Sequence, residues 1–278
     1  MKKNLFISGI LSVLMFSLVF TSCSKDEATE VETSNNSDLV FVEESQEVSK
    51  ADAASDGVIH MLETAYTEIE EDSGRTVSLF PDCVTITLSS ENGVTFVTLD
   101  FGFGCELQNG AVVSGIVNIT YGPVQNGTRT ITYTFQNFTW NGNEVAGGAT
   151  IFRERNNANG NPQSTVHADL QISFQGGLVL QKDGTRVREW IEGVGSGTWT
   201  DNVWLVTGNR EVNSNTGFSH YGIITEALRR EATCPHFVSG IVEITRNGNQ
   251  GILNFGDGTC DNIAILTVNG VDYTIILN

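Results

Sequence analysis

The chain has 278 residues, with 33 Asp and Glu against 15 Lys and Arg and a net charge of −18. So acidic a molecule repels nucleic acid and anionic lipid head groups, which excludes a nucleic-acid-binding role. After residue 22 no apolar run is long enough to cross a bilayer as a helix.

The first elements concern address rather than fold. Lys2 and Lys3 precede an apolar run from Leu5 to Phe20, and the small residues Thr21 and Ser22 lead to Cys23. A basic start, a short apolar stretch and a small-residue boundary are the layout of a secretory signal peptide, here residues 1–22. The stretch Phe20-Thr21-Ser22-Cys23 resembles the lipobox of bacterial lipoproteins, with Phe20 where that family usually has Leu. Ser24-Lys25-Asp26-Glu27 is similar to the acidic export tag of Bacteroidota surface lipoproteins. The resemblance implies cleavage before Cys23, acylation of its thiol and an outer-membrane location, with the cell surface as one destination. The membrane is then a partner through acyl chains, each buried CH₂ contributing about 0.8 kcal/mol.

Residues 24–72 carry 15 acids and two bases. Within them, residues 23–50 are rich in Glu, Ser, Asn and Thr and read as a flexible acidic tether. Leu39-Val40-Phe41-Val42 interrupts it and is read as an edge strand. In residues 51–74, Val58, Met61, Leu62, Ala65, Tyr66 and Ile69 recur at helical spacing, so an amphipathic helix is expected. Ser55 or Asp56 is its expected cap and Gly74 its expected stop, with Glu63 and His60 off the stripe.

Residues 75–278 change to a period of two. In TRTITYTFQNF (128–138), Ile131, Tyr133 and Phe135 share one side and Thr130, Thr132 and Thr134 the other. Strands apolar on one face and polar on the other belong to antiparallel sheets. Asn-Gly at 92, 109, 126, 141, 159, 247 and 269 and Asp-Gly at 183 and 257 mark tight turns. The expected fold is therefore all-β: a large antiparallel meander of about twelve to fourteen strands. It would form a sandwich or an open curved sheet (a half-barrel), with one N-terminal helix. Thr-rich polar faces argue against a membrane barrel.

The meander carries an internal echo. SGIVNIT (114–120) and SGIVEIT (239–245) differ at one position, and Cys83, Asn92-Gly93, TLDFGFGC recurs as Cys234, Asn247-Gly248, ILNFGDGTC. Two related hairpin units near 83–121 and 234–278 are expected. In an exported chain the four cysteines Cys83, Cys105, Cys234 and Cys260 suggest disulfides. Three pairings are possible, and the echo favours 83–105 and 234–260.

Candidate sites are few. Asp257 and Asp261 sit on a glycine-rich turn (NFGDGTCDN, 254–262) with oxygen ligands suited to Ca²⁺, although the spacing is not that of an EF-hand. Trp190, Trp199 and Trp204 are candidates for stacking on a sugar or other ligand, with Trp199 expected opposite Trp204 across a turn at Asp201-Asn202. His60, His167, His220 and His236 fit no metal-ligand or catalytic spacing, and GVGSG (193–197) is not a nucleophile elbow. No catalytic residue and no cofactor is implied. The turn GDGTCD (256–261) and the hairpin VNG (268–270) resemble the terminal pattern of β-rich Bacteroidota lipoproteins, a likeness that transfers no active residues. The expectation is a lipid-anchored envelope lipoprotein that binds a glycan or protein partner without catalysis. The alternatives are a carrier of an apolar ligand in a β cavity and an Asp/Glu-dependent glycan hydrolase.

Overall fold

The computed structural model describes residues 28–71, 78–196 and 198–277. The signal peptide and Cys23 lie outside them. The chain divides into two compact units, Met1–Asn36 and Ser37–Asn278, and the contacts below belong to the second.

One helix, α1 (Ala28–Tyr66), leads through a π turn at Thr67–Glu71 towards fourteen strands. These are β1 (Thr85–Glu91), β2 (Val94–Asp100), β3 (Cys105–Glu106), β4 (Val112–Tyr121), β5 (Thr128–Trp140), β6 (Asn143–Glu154) and β7 (Gln163–Ser173). They continue as β8 (Val179–Glu192), β9 (Val203–Ser214), β10 (Ser219–Glu231), β11 (Phe237–Arg246), β12 (Asn249–Asp257), β13 (Ile263–Val268) and β14 (Val271–Ile276). All pairings are antiparallel between chain neighbours, except that β2 pairs with β4 and the two-residue β3 attaches to β4. The result is the expected meander, as one sheet that stays open from β1 to β14.

Turn chemistry explains the meander. Asn92, Asn126, Asn141, Asn247 and Asn269 all adopt φ of 47° to 52°, each followed by a glycine at positive φ, the backbone that matches strand twist in a two-residue hairpin. Asp183-Gly184 departs from the expected turn. It lies in the middle of β8, where Gly184 faces Arg210 of β9. The pair is built into a straight strand because its neighbours on both sides are already in register.

The echoed units are hairpins of the same kind. Each disulfide, Cys83–Cys105 and Cys234–Cys260, joins the residues just outside the open end of an Asn-Gly hairpin: β1/β2 in one case, β11/β12 in the other. The glycine of each SGIV sequence sits at a bulge. Register slips at Ser114/Ile116 and at Ser239/Ile241, around Gly115 and Gly240. Both have positive φ, and a side chain at either would strike the neighbouring strand's carbonyl. Bulges of this type bend a sheet.

Bending is required here. Strands spaced about 4.8 Å apart would make a flat sheet of this size roughly 60 Å wide. Yet one short stretch of α1, residues 57–64, meets Leu107 and Gln108 beside β3 as well as Trp199 after β8 and Thr233 after β10, in a single cleft. The sheet therefore curls round the helix. Val48, Val58, Ile59, Met61, Leu62 and Ala65 of α1 pack into a core with Val117, Tyr133, Val145, Leu170 and Leu180 of the sheet. A second core, Val242, Ile244, Leu253, Leu266 and Ile275, belongs to the last strands, and Phe41 is the helix residue buried in it. Gly57 of α1 lies against the Trp140 indole, so closely that a Cβ there would overlap the ring.

The N-terminal expectations need correction. Residues 37–50 are packed helix, not tether, and Phe41 is a helix residue, not part of an edge strand. The helix begins at Ala28 instead of near Ala51, and Ser55 and Asp56 lie in its middle instead of capping it. The inward face runs through Phe41, Ser45, Val48, Asp52, Ser55 and Ile59, a helical stripe in which two serines and an aspartate alternate with apolar residues. Those residues are buried because the sheet supplies their partners, which no local pattern announces. Glu63, expected outside, is 7% exposed for the same reason. The expected stop at Gly74 lies outside the described residues.

Candidate functional site

Eight of the eleven Lys and Arg residues after residue 72 lie on the strands that wrap α1 and face it: Arg129, Arg153, Lys182, Arg186, Arg188, Arg210, Arg230 and Arg246. The helix acids meet most of them. Asp52 pairs ionically with Lys182 at 2.9 Å and accepts from Arg210 at 2.6 Å; Arg186 stands 3.9 Å away. Asp56 bridges Arg188 at 2.5 Å and Arg230 at 3.2 Å. Glu63 accepts from Arg188 Nε at 3.1 Å, Glu44 from Arg246, and Glu70 from Arg129 at 2.9 Å. The acidity that reads as solvated in sequence is thus a counter-charge for the inner wall of the sheet.

Electrostatics follow from this burial. Desolvation would raise the Asp52 carboxyl, but Arg210, Lys182 and Arg186 together hold it well below the ordinary carboxylate range. Desolvation pulls the Lys182 ammonium down to about 8 against the opposing attraction of Asp52. His220, fully buried between Phe41 and Phe218, is lowered to about 4 by desolvation and by Arg210, despite its contact with Glu44 at 3.3 Å. His60 is lowered well below its ordinary value by burial, with Arg230 and Arg188 adding repulsion.

The three expected indoles gather, in a different arrangement. Trp190 of β8 and Trp204 of β9 face each other across the strands and stack at 6.0 Å. Trp199 is not opposite Trp204. It opens a single 3₁₀ turn, Trp199–Asp201, because the Asp201-Asn202 pair lacks the glycine a two-residue hairpin needs. Trp190 and Trp204 are buried, whereas Trp199 stays partly exposed, 5.6 Å from Trp204 and 5.5 Å from His60. His60, expected to have no role, is the residue that sequence reasoning missed here. Its position one residue before Met61 in the apolar stripe was the available signal.

Trp199 and His60 line a cleft of about 220 Å³. Met61 and Thr64 from α1, Leu79 and Phe80, Leu107, Gln108 and Asn109, and Thr200 and Thr233 are among its other wall residues. His60 Nδ1 is buried without a hydrogen-bond partner. The cleft presents one indole, amides and hydroxyls beside the apolar side chains of Met61, Leu79, Phe80 and Leu107, and no carboxylate.

The expected metal residues do not come together with other ligands. Asp257 accepts from the backbone and hydroxyl of Thr259, and Asp261 from the backbone of Ile263, so each caps its own turn. Among the described residues, no group of three or more His, Cys, Asp or Glu side chains is placed to hold a metal ion. Comparison of the chain with family models, curated proteins and solved structures gave no match, so the site is read from its own residues.

Proposed function

We propose that this is a lipid-anchored envelope lipoprotein, held in the outer membrane by acyl chains on Cys23, whose β body binds a ligand or partner without catalysis. The carrying observation is the cleft beside Trp199, where an indole kept partly in solvent borders a pocket that mixes apolar side chains with uncharged amides and hydroxyls. A sugar ring matches that chemistry: its apolar face stacks on an indole and its hydroxyls meet amides and hydroxyls. Two disulfides accord with an oxidising compartment.

The alternatives have less support. A glycan hydrolase works with a pair of carboxyl groups at the scissile bond, and the carboxylates gathered on α1 are bound to guanidinium groups instead. A carrier of apolar cargo needs an oily hollow under the helix, and the hollow there is small and walled in part by charge.

Titration of the purified protein with an oligosaccharide panel, followed by tryptophan fluorescence, tests the binding reading. A saturable change is expected, weakened about tenfold in Trp199→Ala. Unchanged affinity in that variant rules the cleft out. For the anchor, cells fed labelled palmitate should label the wild-type chain and not Cys23→Ser; equal labelling removes Cys23 from the proposal.

A further inference from the structure

A second cavity, of about 50 Å³, lies between α1 and the sheet, away from the Trp199 cleft. One water needs roughly 10–15 Å³ on this measure, so there is room for a group of several heavy atoms. Lys182, Arg186 and Arg188 form part of its wall, with Asp52 and Asp56 opposite and Val206, Leu228 and Phe255 closing the rest.

The charges round it do not cancel. Five cations, Lys182, Arg186, Arg188, Arg210 and Arg230, share three carboxylates, Asp52, Asp56 and Glu63. Two positive charges are left over in a buried place, where uncompensated charge is costly. The surplus is visible atom by atom. Arg186 has only a 3.9 Å approach to Asp52 and its Nη1 lacks a hydrogen-bond partner. Arg188 is 1% exposed, and its Nη2 is likewise unpaired although Nε and Nη1 are engaged. Arg210 Nη1 and Arg230 Nε are further donors without a hydrogen-bond partner in the same cluster, on residues outside the cavity wall. Two acceptors lack a hydrogen-bond partner as well: Asp52 Oδ1, in the wall of the cavity and 2.9 Å from the Lys182 ammonium, and Glu63 Oε1, which is not among the residues that form it.

We propose that this cavity is a binding site for a small oxyanion, held by the guanidinium groups of Arg186 and Arg188. Forked guanidinium donors match paired oxygens of a carboxylate, phosphate or sulfate. The apolar remainder of the wall favours a short-chain carboxylate, whose carbon end it would cover; inorganic phosphate and sulfate share the head-group chemistry.

Thermal unfolding of the purified protein in chloride buffer is the test, with sodium phosphate, sulfate or butyrate added at matched ionic strength. At least one anion should raise Tm saturably, by roughly 5 °C or more at a hundred times its Kd. Arg186→Met should abolish the rise, and Arg155→Met, at an exposed position outside the cluster, should keep it. Should Arg186→Met fail to fold, Arg186→Lys takes its place and should weaken the rise at least tenfold in concentration. A butyrate-only response identifies the carboxylate source, and a phosphate or sulfate response the inorganic one. No rise with any anion, or the same rise in the Arg186 variant, means the cavity holds solvent alone and overturns the proposal.

Discussion

The two halves of the sheet meet the same helix by different physics. Through β2–β7 the contact is hydrocarbon: Leu62, Met61 and Val58 against Val97, Val117, Tyr133 and Leu170. Through β8–β11 ion pairs join the apolar contact of Phe41: Asp52, Asp56 and Glu44 against Lys182, Arg210, Arg230 and Arg246. The first kind of contact stabilises in proportion to area and tolerates small displacements. The second contributes little net stability when complete but penalises any misplacement, because a separated partner is left charged and buried. One half holds the helix and the other aligns it.

Substitutions on α1 sharpen that contrast. Asp56→Ala strands Arg230, leaves Arg188 with Glu63 alone and should cost about 4 kcal/mol in urea unfolding. Leu62→Ala, on the hydrocarbon side, should cost about 3 kcal/mol. If the aspartate change is the milder of the two, the ionic half has been misread.

Acid should break the ionic half before the apolar one. His220, His60 and His236 all have lowered values, set first by desolvation. Below the ordinary 6.5 the unfolded chain therefore binds protons that the folded chain refuses, so stability falls as pH drops from 6.5 towards 4. The urea midpoint should decline across that window, and His220→Gln should flatten part of the decline. A midpoint constant over the window contradicts the assignment. The smallest effect is alkaline. With Lys182 lowered to about 8, the folded chain loses its proton first, so this group adds stability as pH rises from 8 to 10. Lys182→Met should remove that slope.

Much of the architecture was legible because it is local. Alternation in residues 128–138 and the Asn-Gly turns specify hairpins without reference to anything distant. The disulfide pairs followed from the echo for the same reason. What escaped was non-local. Residues 37–50 are helical, with one face buried, because side chains such as Asp38 and Glu44 meet a sheet that comes 176 to 231 positions later, as the pair Asn269 and Asp38 illustrates. His60 and Glu63 read as outward because burial of polar groups depends on partners that a periodicity analysis cannot see. Trp204 stands opposite Trp190 across the strands, with Trp199 beside it instead of opposite, because strand register, set along the whole of β8 and β9, outranks the short turn between them.

The notch at Gly57 has a mechanical consequence. An indole seated where any other residue would carry a β-carbon works as a detent: sliding α1 by one turn would drive Ala53, Ala54 or Met61 into the space Trp140 fills. The rod is indexed against its sleeve at a single tooth, so the pairing of every acid with its distant base is decided by the absence of one methyl group.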